Sequence, residues 1–214
     1  METLLYVVAA IAALVLLSQI LWRFASRRQS LPCPAALRWM VELDNPFTRT
    51  NRAAVILERL DVRPGMTVAD LGCGPGRVTV PLARAVGRDG SVVALDLQEG
   101  MLDRARTKAA AEGLENIAFL QGALGEGRLE PGRFDRAVLV TVLYEIPDRA
   151  AALAEIREAL RPDGILSVTE VIFDPHFQRR STVLRLAEAT GLREVARYGN
   201  AIAYTMHLQR ADEA

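Results

Sequence analysis

The chain contains few of the residues that build disulfide frameworks, metal clusters or nucleic-acid surfaces. Only two cysteines, Cys33 and Cys73, and two histidines occur in 214 residues. That number excludes a disulfide scaffold, and no His, Cys or Asp spacing predicts a metal site. The 26 basic residues, of which Lys108 is the only lysine, balance 26 acidic ones. We therefore expect no nucleic-acid partner, since that would require a basic stripe. The length suits one domain with a full core.

A glycine-rich turn follows the first strand-like run of the domain. Residues 68–76 read Val-Ala-Asp-Leu-Gly-Cys-Gly-Pro-Gly. An apolar run that contains Asp70 and breaks into Gly72 predicts a strand entering a tight turn. The helix behind such a turn presents free N–H groups and the positive end of its dipole to a ligand. A second apolar run closes with Asp96, where an α/β nucleotide-binding fold has the acid that binds a ribose.

Two ligands suit this turn, a dinucleotide and S-adenosylmethionine (SAM). The dinucleotide fingerprint is G-x-G-x-x-G. This chain has G-x-G-x-G, with Arg77 and Val78 in place of the third dinucleotide glycine. The carboxylate of Asp70 would repel a pyrophosphate but attract the ammonium and sulfonium groups of SAM. The residues therefore favour SAM.

These residues resemble the class I SAM-dependent methyltransferases, most of all the branch that acts on small molecules and lipids and includes the quinone-biosynthesis C-methyltransferases. The resemblance covers roughly residues 50–208. It rests on four blocks in the family's order, Asp70-Leu-Gly-Cys-Gly-Pro-Gly76, Val92-Val-Ala-Leu-Asp96, Phe134-Asp-Arg-Ala-Val-Leu-Val140 and Leu160-Arg-Pro-Asp-Gly-Ile-Leu-Ser167. It implies a Rossmann-like α/β fold, with a seven-stranded, mostly parallel sheet, helices on both faces and an antiparallel last strand.

The resemblance also implies a cofactor site. Gly72 and Gly74 would contact the methionine part of SAM, and Asp96 would accept hydrogen bonds from both ribose hydroxyls. Where the family has an acid that binds the adenine amino group, this chain reads Gln121-Gly-Ala-Leu124 and has none. Adenine recognition then falls to Gln121, backbone groups or apolar packing. The expected cofactor-binding residues are Asp70, Gly72, Cys73, Gly74, Gly76, Asp96, Leu97, Gln121, Ala123 and Thr141.

The reacting groups are expected after the fourth and fifth predicted strands, because ligands of such sheets bind beyond the carboxyl ends of the strands. Methyl transfer is an in-line attack on an activated carbon, so positioning contributes most. A general base is needed only where the nucleophile must lose a proton, and histidine is the natural candidate. We expect His207, in the last strand, to be structural. The candidate catalytic residues are His176, Tyr144, Glu145 and Glu170.

The first segment, from Thr3 to Trp22, is predicted to be a transmembrane helix. Its twenty residues carry no charge, and as a helix they would span about 30 Å, the thickness of the hydrocarbon core. Basic residues follow at Arg23, Arg27 and Arg28, which predicts a single-pass protein with its catalytic domain facing the cytoplasm. The alternative is a cleaved signal peptide, but such peptides carry their positive charge before the apolar run.

Residues 23–49 link this anchor to the methyltransferase domain, which we place at 50–210. Pro32, Pro34 and Pro46 interrupt the linker, and Ala35 to Leu43 has a helical apolar pattern. Such a helix would lie on the membrane surface, fold over the active site as a lid, or pack on the domain. The sequence leaves these three alternatives open.

Strands alternate with helices along the rest of the chain, which predicts a parallel sheet covered on both faces. Pro162-Asp163-Gly164 predicts a turn, and Gly199-Asn200 predicts a hairpin. The predicted strands are 67–71, 91–96, 116–120, 134–140, 164–172, 193–198 and 201–208. The predicted helices are 50–60, 76–86, 99–112, 148–160 and 181–190.

The leading functional expectation is a membrane-anchored enzyme that moves the methyl group of SAM to a small, lipophilic acceptor. A lipid head group or a quinone precursor would fit, because an anchor raises the effective concentration of such a molecule at the site. Two alternatives stay open, an NAD(P)-dependent oxidoreductase on a similar fold and a non-catalytic SAM-binding membrane protein.

Overall fold

The structure, a computed structural model, describes residues 48–172, 174 and 176–211, together with residues 6, 7, 10, 11, 13, 14 and 17. Those seven early residues are helical and exposed. The rest of the predicted anchor at 3–22, and the linker as far as residue 47, lie outside the described residues. Within the described part of the chain, no helix is both long and apolar enough to cross a bilayer.

The described domain begins with a helix and then alternates strands with helices. Its elements are α1 (Ala53–Leu60), β1 (Thr67–Leu71), α2 (Thr79–Val86), β2 (Ser91–Asp96), α3 (Glu99–Ala111), β3 (Ile117–Gln121), β4 (Phe134–Val140), a 3₁₀ turn (Leu143–Glu145), α4 (Arg149–Ala159), β5 (Leu160–Val171), α5 (Arg180–Ala189), β6 (Leu192–Gly199) and β7 (Ala203–Arg210).

The seven strands form one sheet in the order β3-β2-β1-β4-β5-β7-β6. Strands β1 to β5 pair in parallel, and β7 runs antiparallel to both β5 and β6. This is the Rossmann-like arrangement that the sequence predicts. The strand order reverses between β1 and β4, and ligands of open α/β sheets bind at such a switch point. The glycine-rich turn after β1 and the 3₁₀ turn after β4 both lie there.

Apolar side chains cover both faces of the sheet. On one face, α4 and α5 pack against β4, β5 and β7 through residues such as Leu153 and Val183. On the other face, α1 and α2 pack against β1 and β4 through residues such as Ile56 and Leu82. Burial on both faces explains why the parallel strands read as continuous apolar runs rather than as alternating ones.

Several predicted boundaries differ from the structure, and two of these differences have clear local reasons. The segment Pro162-Asp163-Gly164 lies inside β5, which begins at Leu160, and not in a separate turn. It falls where the pairing with β4 is irregular, between Leu160 and Ile165. Helix α2 begins at Thr79 and not at residue 76, because Gly76 has a φ of +81°, and a helix cannot include that conformation.

Candidate active site

The glycine-rich turn occupies residues 72–78, between β1 and α2. Gly72, Gly74 and Gly76 have positive φ angles of 72°, 53° and 81°, which glycine adopts without strain. At Gly72 the surroundings add a second requirement, since a Cβ there would lie 2.6 Å from both γ carbons of Val142. Glycine is therefore needed at this position because the turn after β1 and the turn after β4 touch.

The carboxylate of Asp96, predicted to bind the ribose, fastens the glycine turn to β2. Its Oδ2 accepts a hydrogen bond from the Gly74 N–H at 2.8 Å, and its Oδ1 accepts one from the Gln98 N–H at 2.8 Å. The Cys73 N–H donates to the Leu95 carbonyl of the same strand. Burial raises the pKa of Asp96, opposed by these backbone N–H groups. Each carboxylate oxygen keeps a lone pair for a ribose hydroxyl.

Asp70 lies 3% exposed near the end of β1. Its Oδ2 accepts a hydrogen bond of 2.6 Å from the Thr79 hydroxyl. Burial raises the pKa of Asp70 to about 6, although the Thr79 hydrogen bond and the Arg77 charge lower it. A buried carboxylate of this kind gains from a nearby cation, so it suits the ammonium of SAM. The sequence prediction missed Thr79, whose only signal is a hydroxyl at the start of the next helix.

Cys73 fills the turn. Its side chain is buried, and its thiol lies 3.6 Å from the Gly74 carbonyl oxygen. Burial, together with the charges of Asp70 and Asp96, raises the pKa of the thiol. Because the thiolate is the nucleophilic form, this shift disfavours a role as a nucleophile, and the Cys73 side chain packs inside the glycine turn.

The residues predicted to surround adenine lie at the ends of β2 and β3. Leu97 is apolar yet 57% exposed, so a planar ring would cover a surface that water otherwise meets. Gln121 is exposed, and its Nε2 donates to the Leu97 carbonyl oxygen at 3.4 Å. Ala123 is half-buried in the loop that follows. This edge of the site therefore offers apolar and backbone groups, as expected from the missing acid.

A carboxylate of α4 fixes the loop that carries Ala123. The two oxygens of Glu155 accept hydrogen bonds from the Gly125 N–H at 2.5 Å and the Leu129 N–H at 2.8 Å. The loop at the adenine end of the site is thus hydrogen-bonded to helix α4. The sequence gives no signal for this contact, because the partners are 26 and 30 residues apart.

Thr141, the first residue after β4, has a φ of +57°. A β-branched residue rarely adopts that angle, and such strain collects at functional sites. The Thr141 N–H donates to the Thr169 carbonyl of β5 at 2.9 Å. The strained residue turns the chain so that Val142 meets Gly72 and the next three residues form the 3₁₀ turn.

Three of the four predicted catalytic residues lie together. His176 is 4% exposed, and its Nδ1 lies 3.2 Å from Glu145 Oε1 and 3.8 Å from Asp174 Oδ1. Its ring stacks on the Tyr144 ring, with centroids 5.8 Å apart and planes inclined by 20°. Among the described residues, its Nε2 has no hydrogen-bond partner. A carboxylate beside Nδ1 holds the proton there and leaves Nε2 as an acceptor.

Arg149, at the start of α4, holds Tyr144 in place. Its guanidinium lies 4.3 Å from the centre of the Tyr144 ring, and its Nη2 donates to the Tyr144 carbonyl at 3.1 Å. Stacking and hydrogen bonding from one guanidinium fix both the ring and the backbone. The sequence prediction did not include this arginine.

The fourth predicted residue, Glu170, contacts the backbone of the loop that carries His176. It is 1% exposed, and its Oε2 accepts a hydrogen bond of 3.0 Å from the Gln178 N–H. The Tyr204 hydroxyl, which the sequence prediction missed, donates to the carbonyl of the same Gln178 at 3.0 Å. Burial raises the pKa of Glu170 to about 8, and the charges of Asp174 and Glu145 add to the shift. In this structure Glu170 therefore holds the backbone of the loop that carries His176, and its catalytic role stays a prediction.

His207 lies on β7, and its ring packs against the Tyr198 ring in a T-shaped arrangement, with the two ring centroids 5.2 Å apart. Burial, with the charges of Arg136 and Arg59, lowers its pKa to about 4. It is paired with Ser167 on β5, and not with the loop of His176. This position agrees with the structural role expected for it.

Comparison with known proteins shows which proteins this domain resembles. Residues 68–164 match the family described as a methyltransferase domain. Nocamycin O-methyltransferase of Saccharothrix syringae is 33% identical over 135 residues, which are 63% of this chain and 46% of that protein. A demethylmenaquinone methyltransferase of Lactococcus lactis is 37% identical over 111 residues, 52% of this chain and 44% of that protein. The chain thus spans about half the length of these curated relatives.

Solved structures share the fold. A SAM-dependent methyltransferase from Aquifex aeolicus has a TM-score of 0.75 at 20% identity, covering 83% of this chain and 98% of that one. An O-methyltransferase of neocarzinostatin biosynthesis, in complex with S-adenosyl-L-homocysteine and 1,4-dihydroxy-2-naphthoic acid, has a TM-score of 0.65 at 20% identity. It covers 82% of this chain and 57% of that one.

The parallel sheet, the glycine turn at its switch point and the acids on β1 and β2 define a Rossmann-like nucleotide-binding domain. Residues 68–164 match the methyltransferase domain family, and the fold is shared with solved SAM-dependent methyltransferases. The family match supports SAM as the ligand of the glycine turn. Of the two ligands that suit the glycine turn, SAM is thereby favoured over a dinucleotide.

Proposed function

We propose that this chain is a membrane-anchored enzyme that transfers the methyl group of SAM to a small, lipophilic acceptor whose nucleophile loses a proton. The observation that carries the proposal is the geometry of His176, a buried histidine with a carboxylate beside Nδ1 and no partner for Nε2 among the described residues. Two relatives, by their names, methylate nocamycin and demethylmenaquinone, which are small molecules.

The residues of the site fit SAM. Asp70 would face its ammonium, Asp96 its ribose and Leu97 its adenine. The acids suit a positively charged ligand, because burial raises the pKa of both carboxyls and a nearby cation favours their ionised forms. When bound, SAM supplies a methyl group on a positively charged sulfur, so the leaving group needs no proton from the protein.

The protein's own part in the reaction is proton removal and positioning. His176 Nε2 takes the proton from the acceptor's nucleophilic atom, and Glu145 stabilises the resulting imidazolium through Nδ1–H at 3.2 Å. Tyr144 stacks on the imidazole and limits its rotation. Thr141 and Val142 place these side chains at the switch point, so that the acceptor meets the donor in line.

The location of the reaction follows from the first segment of the chain. We propose that residues 3–22 span the membrane, that 23–49 form the linker, and that domain 50–210 faces the cytoplasm, where SAM is made. The support is the uncharged length of the segment and the arginines behind it. A lipophilic acceptor partitions into the same bilayer, which raises its effective concentration at the site.

The proposal is tested with the full chain in lipid nanodiscs and SAM labelled on the methyl group. Incubation with a membrane-lipid extract and with a soluble extract should place label in the lipid fraction. Label only in soluble metabolites or protein would contradict the lipophilic acceptor. SAM binding without label transfer to any fraction would instead favour the non-catalytic alternative.

The role of His176 is tested separately on the acceptor that this assay reveals. His176→Ala should lower kcat by about a hundredfold or more, as expected for loss of a general base, while the Kd for SAM stays unchanged. His207→Asn is the matched control, since that histidine lies on β7 and is not in the cluster. An unchanged kcat in His176→Ala would refute the base assignment.

A further inference from the structure

A pocket lies beyond the end of β5, at the carboxyl edge of the sheet. Its volume is about 240 Å³. Three segments line it, namely Thr48–Thr50 before α1, Ile172 after β5, and Asn200, Ile202 and Ala203 in the β6–β7 hairpin. The function described above does not use this pocket.

Two of the segments that line the pocket are close in the chain to parts of the candidate active site. Ile172 comes two residues after Glu170, and its N–H donates to the Ile202 carbonyl at 2.7 Å. The segment before α1 reaches the glycine turn at its other end, because Arg77 Nη1 donates to the Asn51 carbonyl at 2.5 Å. The pocket and the loop of His176 thus both follow β5, at the same edge of the sheet.

The polar groups of the pocket are mainly donors. Among the described residues, Arg49 is the only charged one that lines the pocket, and its guanidinium makes no hydrogen bond or ion pair with any other of them. Asn200 Oδ1 accepts from the Ile202 and Ala203 N–H groups, both at 3.0 Å. That leaves the Nδ2 amino group of Asn200 as a donor. With a cation, an amide donor and no acid among the described residues of its lining, the pocket favours an anion.

Apolar side chains stand beside these donors. Ile202 is 50% exposed, although it lies at the mouth of a pocket, and Ile172 is half-buried opposite the same hairpin. An apolar ligand body would cover both side chains and gain about 25 cal/mol for each Å² removed from water. The lining thus combines an anion site with an apolar wall.

We propose that this pocket binds a carboxylate on the acceptor, with the apolar body of the acceptor lying against Ile172 and Ile202. The inference rests on the proposed function, because it assigns the pocket to the acceptor of the same active site. It narrows the substrate class to lipophilic molecules that carry an acidic group. An uncharged quinone ring has no such group and is therefore outside this class.

The test compares two acceptors that differ only in the carboxylate, 1,4-dihydroxy-2-naphthoic acid and 1,4-dihydroxynaphthalene. The full chain is assayed as wild type, as Arg49→Gln and as Arg52→Gln. Arg52 is the matched control, since it lies three residues further on and does not line the pocket. Arg49→Gln should raise KM about tenfold for the carboxylated acceptor alone, as expected for loss of a charged hydrogen bond. Arg52→Gln should leave KM unchanged for both acceptors.

Calorimetric titration with 2-naphthoate and with 2-naphthol measures binding without turnover. Wild type should bind 2-naphthoate about tenfold more tightly than Arg49→Gln does, whereas 2-naphthol should not distinguish the two. Arg49-dependent binding without methylation of either acceptor would count against these acceptors and leave the pocket assignment standing. Equal effects of Arg49→Gln on both members of each pair, or no effect, would overturn the assignment.

Discussion

Glu170 and Tyr204 lie directly opposite each other on β5 and β7, and together they hold both backbone polar groups of Gln178. The carboxylate accepts from the N–H, and the phenol donates to the C=O, each at 3.0 Å. Gln178 comes two residues after His176. The position of the candidate base is therefore set by a pair of buried side chains on the sheet.

Removal of the phenol hydroxyl should loosen the loop that carries His176. Tyr204→Phe keeps the ring, which packs edge-on to Phe177 with centroids 6.3 Å apart, but leaves the Gln178 carbonyl unpaired. We expect a loss of about 1–3 kcal/mol in the free energy of unfolding, measured in urea, and a lower kcat with an unchanged Kd for SAM. Tyr198→Phe, on β6, is the control. A kcat that stays at the wild-type value would show that this hydrogen bond does not position His176.

The raised pKa of Glu170 makes stability depend on pH. The folded pKa is about 8, whereas a carboxyl in the unfolded chain titrates near 4.3. Between these values the folded state binds more protons, so stability falls as pH rises from about 4 to about 8. Glu170→Gln keeps the acceptor for Gln178 and removes the titration. In urea unfolding, the wild type and Glu170→Gln should be equally stable at pH 4. At pH 8.5 the variant should be more stable than the wild type by on the order of a few kcal/mol. Parallel pH profiles would contradict this assignment.

SAM affinity should fall in acid because of Asp70. Its pKa in the free protein is about 6, and a bound cation favours the ionised carboxyl. Protonation below pH 6 therefore competes with binding, and Kd should rise by up to about tenfold for each further pH unit. Calorimetry from pH 5 to pH 7 checks this. Asp70→Asn should bind weakly, with a nearly constant Kd, whereas Asp103→Asn, an exposed acid on α3 that pairs with Arg106, should keep the wild-type profile. A pH-dependent Kd in Asp70→Asn would assign the effect to another group.

The contact between Gly72 and Val142 predicts a difference between two glycines. Both Gly72 and Gly74 have positive φ angles, so an alanine at either position is strained by about 1–2 kcal/mol. Only at Gly72 does the new Cβ meet other atoms, those of Val142, while nothing lies within 4 Å at Gly74. Gly72→Ala should therefore be less stable than Gly74→Ala, as measured by thermal unfolding. Adding Val142→Ala should remove most of that excess, since it deletes both γ carbons and leaves only the Val142 Cβ, at 3.1 Å. A double variant as unstable as Gly72→Ala alone would exclude the steric cause.

The sequence predicts the sheet well where the chain is buried on both faces. Strands β1, β2 and β4 begin and end at the predicted residues, because each is rich in apolar residues and is followed within a few residues by a polar residue or a glycine. The start of β5 was missed because Pro162 and Gly164 suggest a turn, although here they form an irregular part of a strand. β7 begins at Ala203, two residues after its predicted start, because the Asn200 side chain accepts hydrogen bonds from the N–H groups of Ile202 and Ala203.

Some contacts of the candidate site could be predicted from the sequence, and others could not. Tyr144, Glu145 and His176 were predictable as neighbours, since they follow adjacent parallel strands whose carboxyl ends meet at one edge. Tyr204 was not, because its partner depends on the register of an antiparallel pair, and a one-residue slip would turn it to the other face. Thr79 and Arg149 act through contacts that only the packed helices create.

The close approach of Gly72 to Val142 joins the turn that holds the donor to the turn that bears Tyr144 and Glu145, so neither can shift alone. The loop after β5 and the segment before α1 are separate from that contact. Residues around Ile172, where the acceptor is proposed to bind, can therefore change while these two turns keep their places, which would let one unaltered cofactor site serve many substrates over evolutionary time.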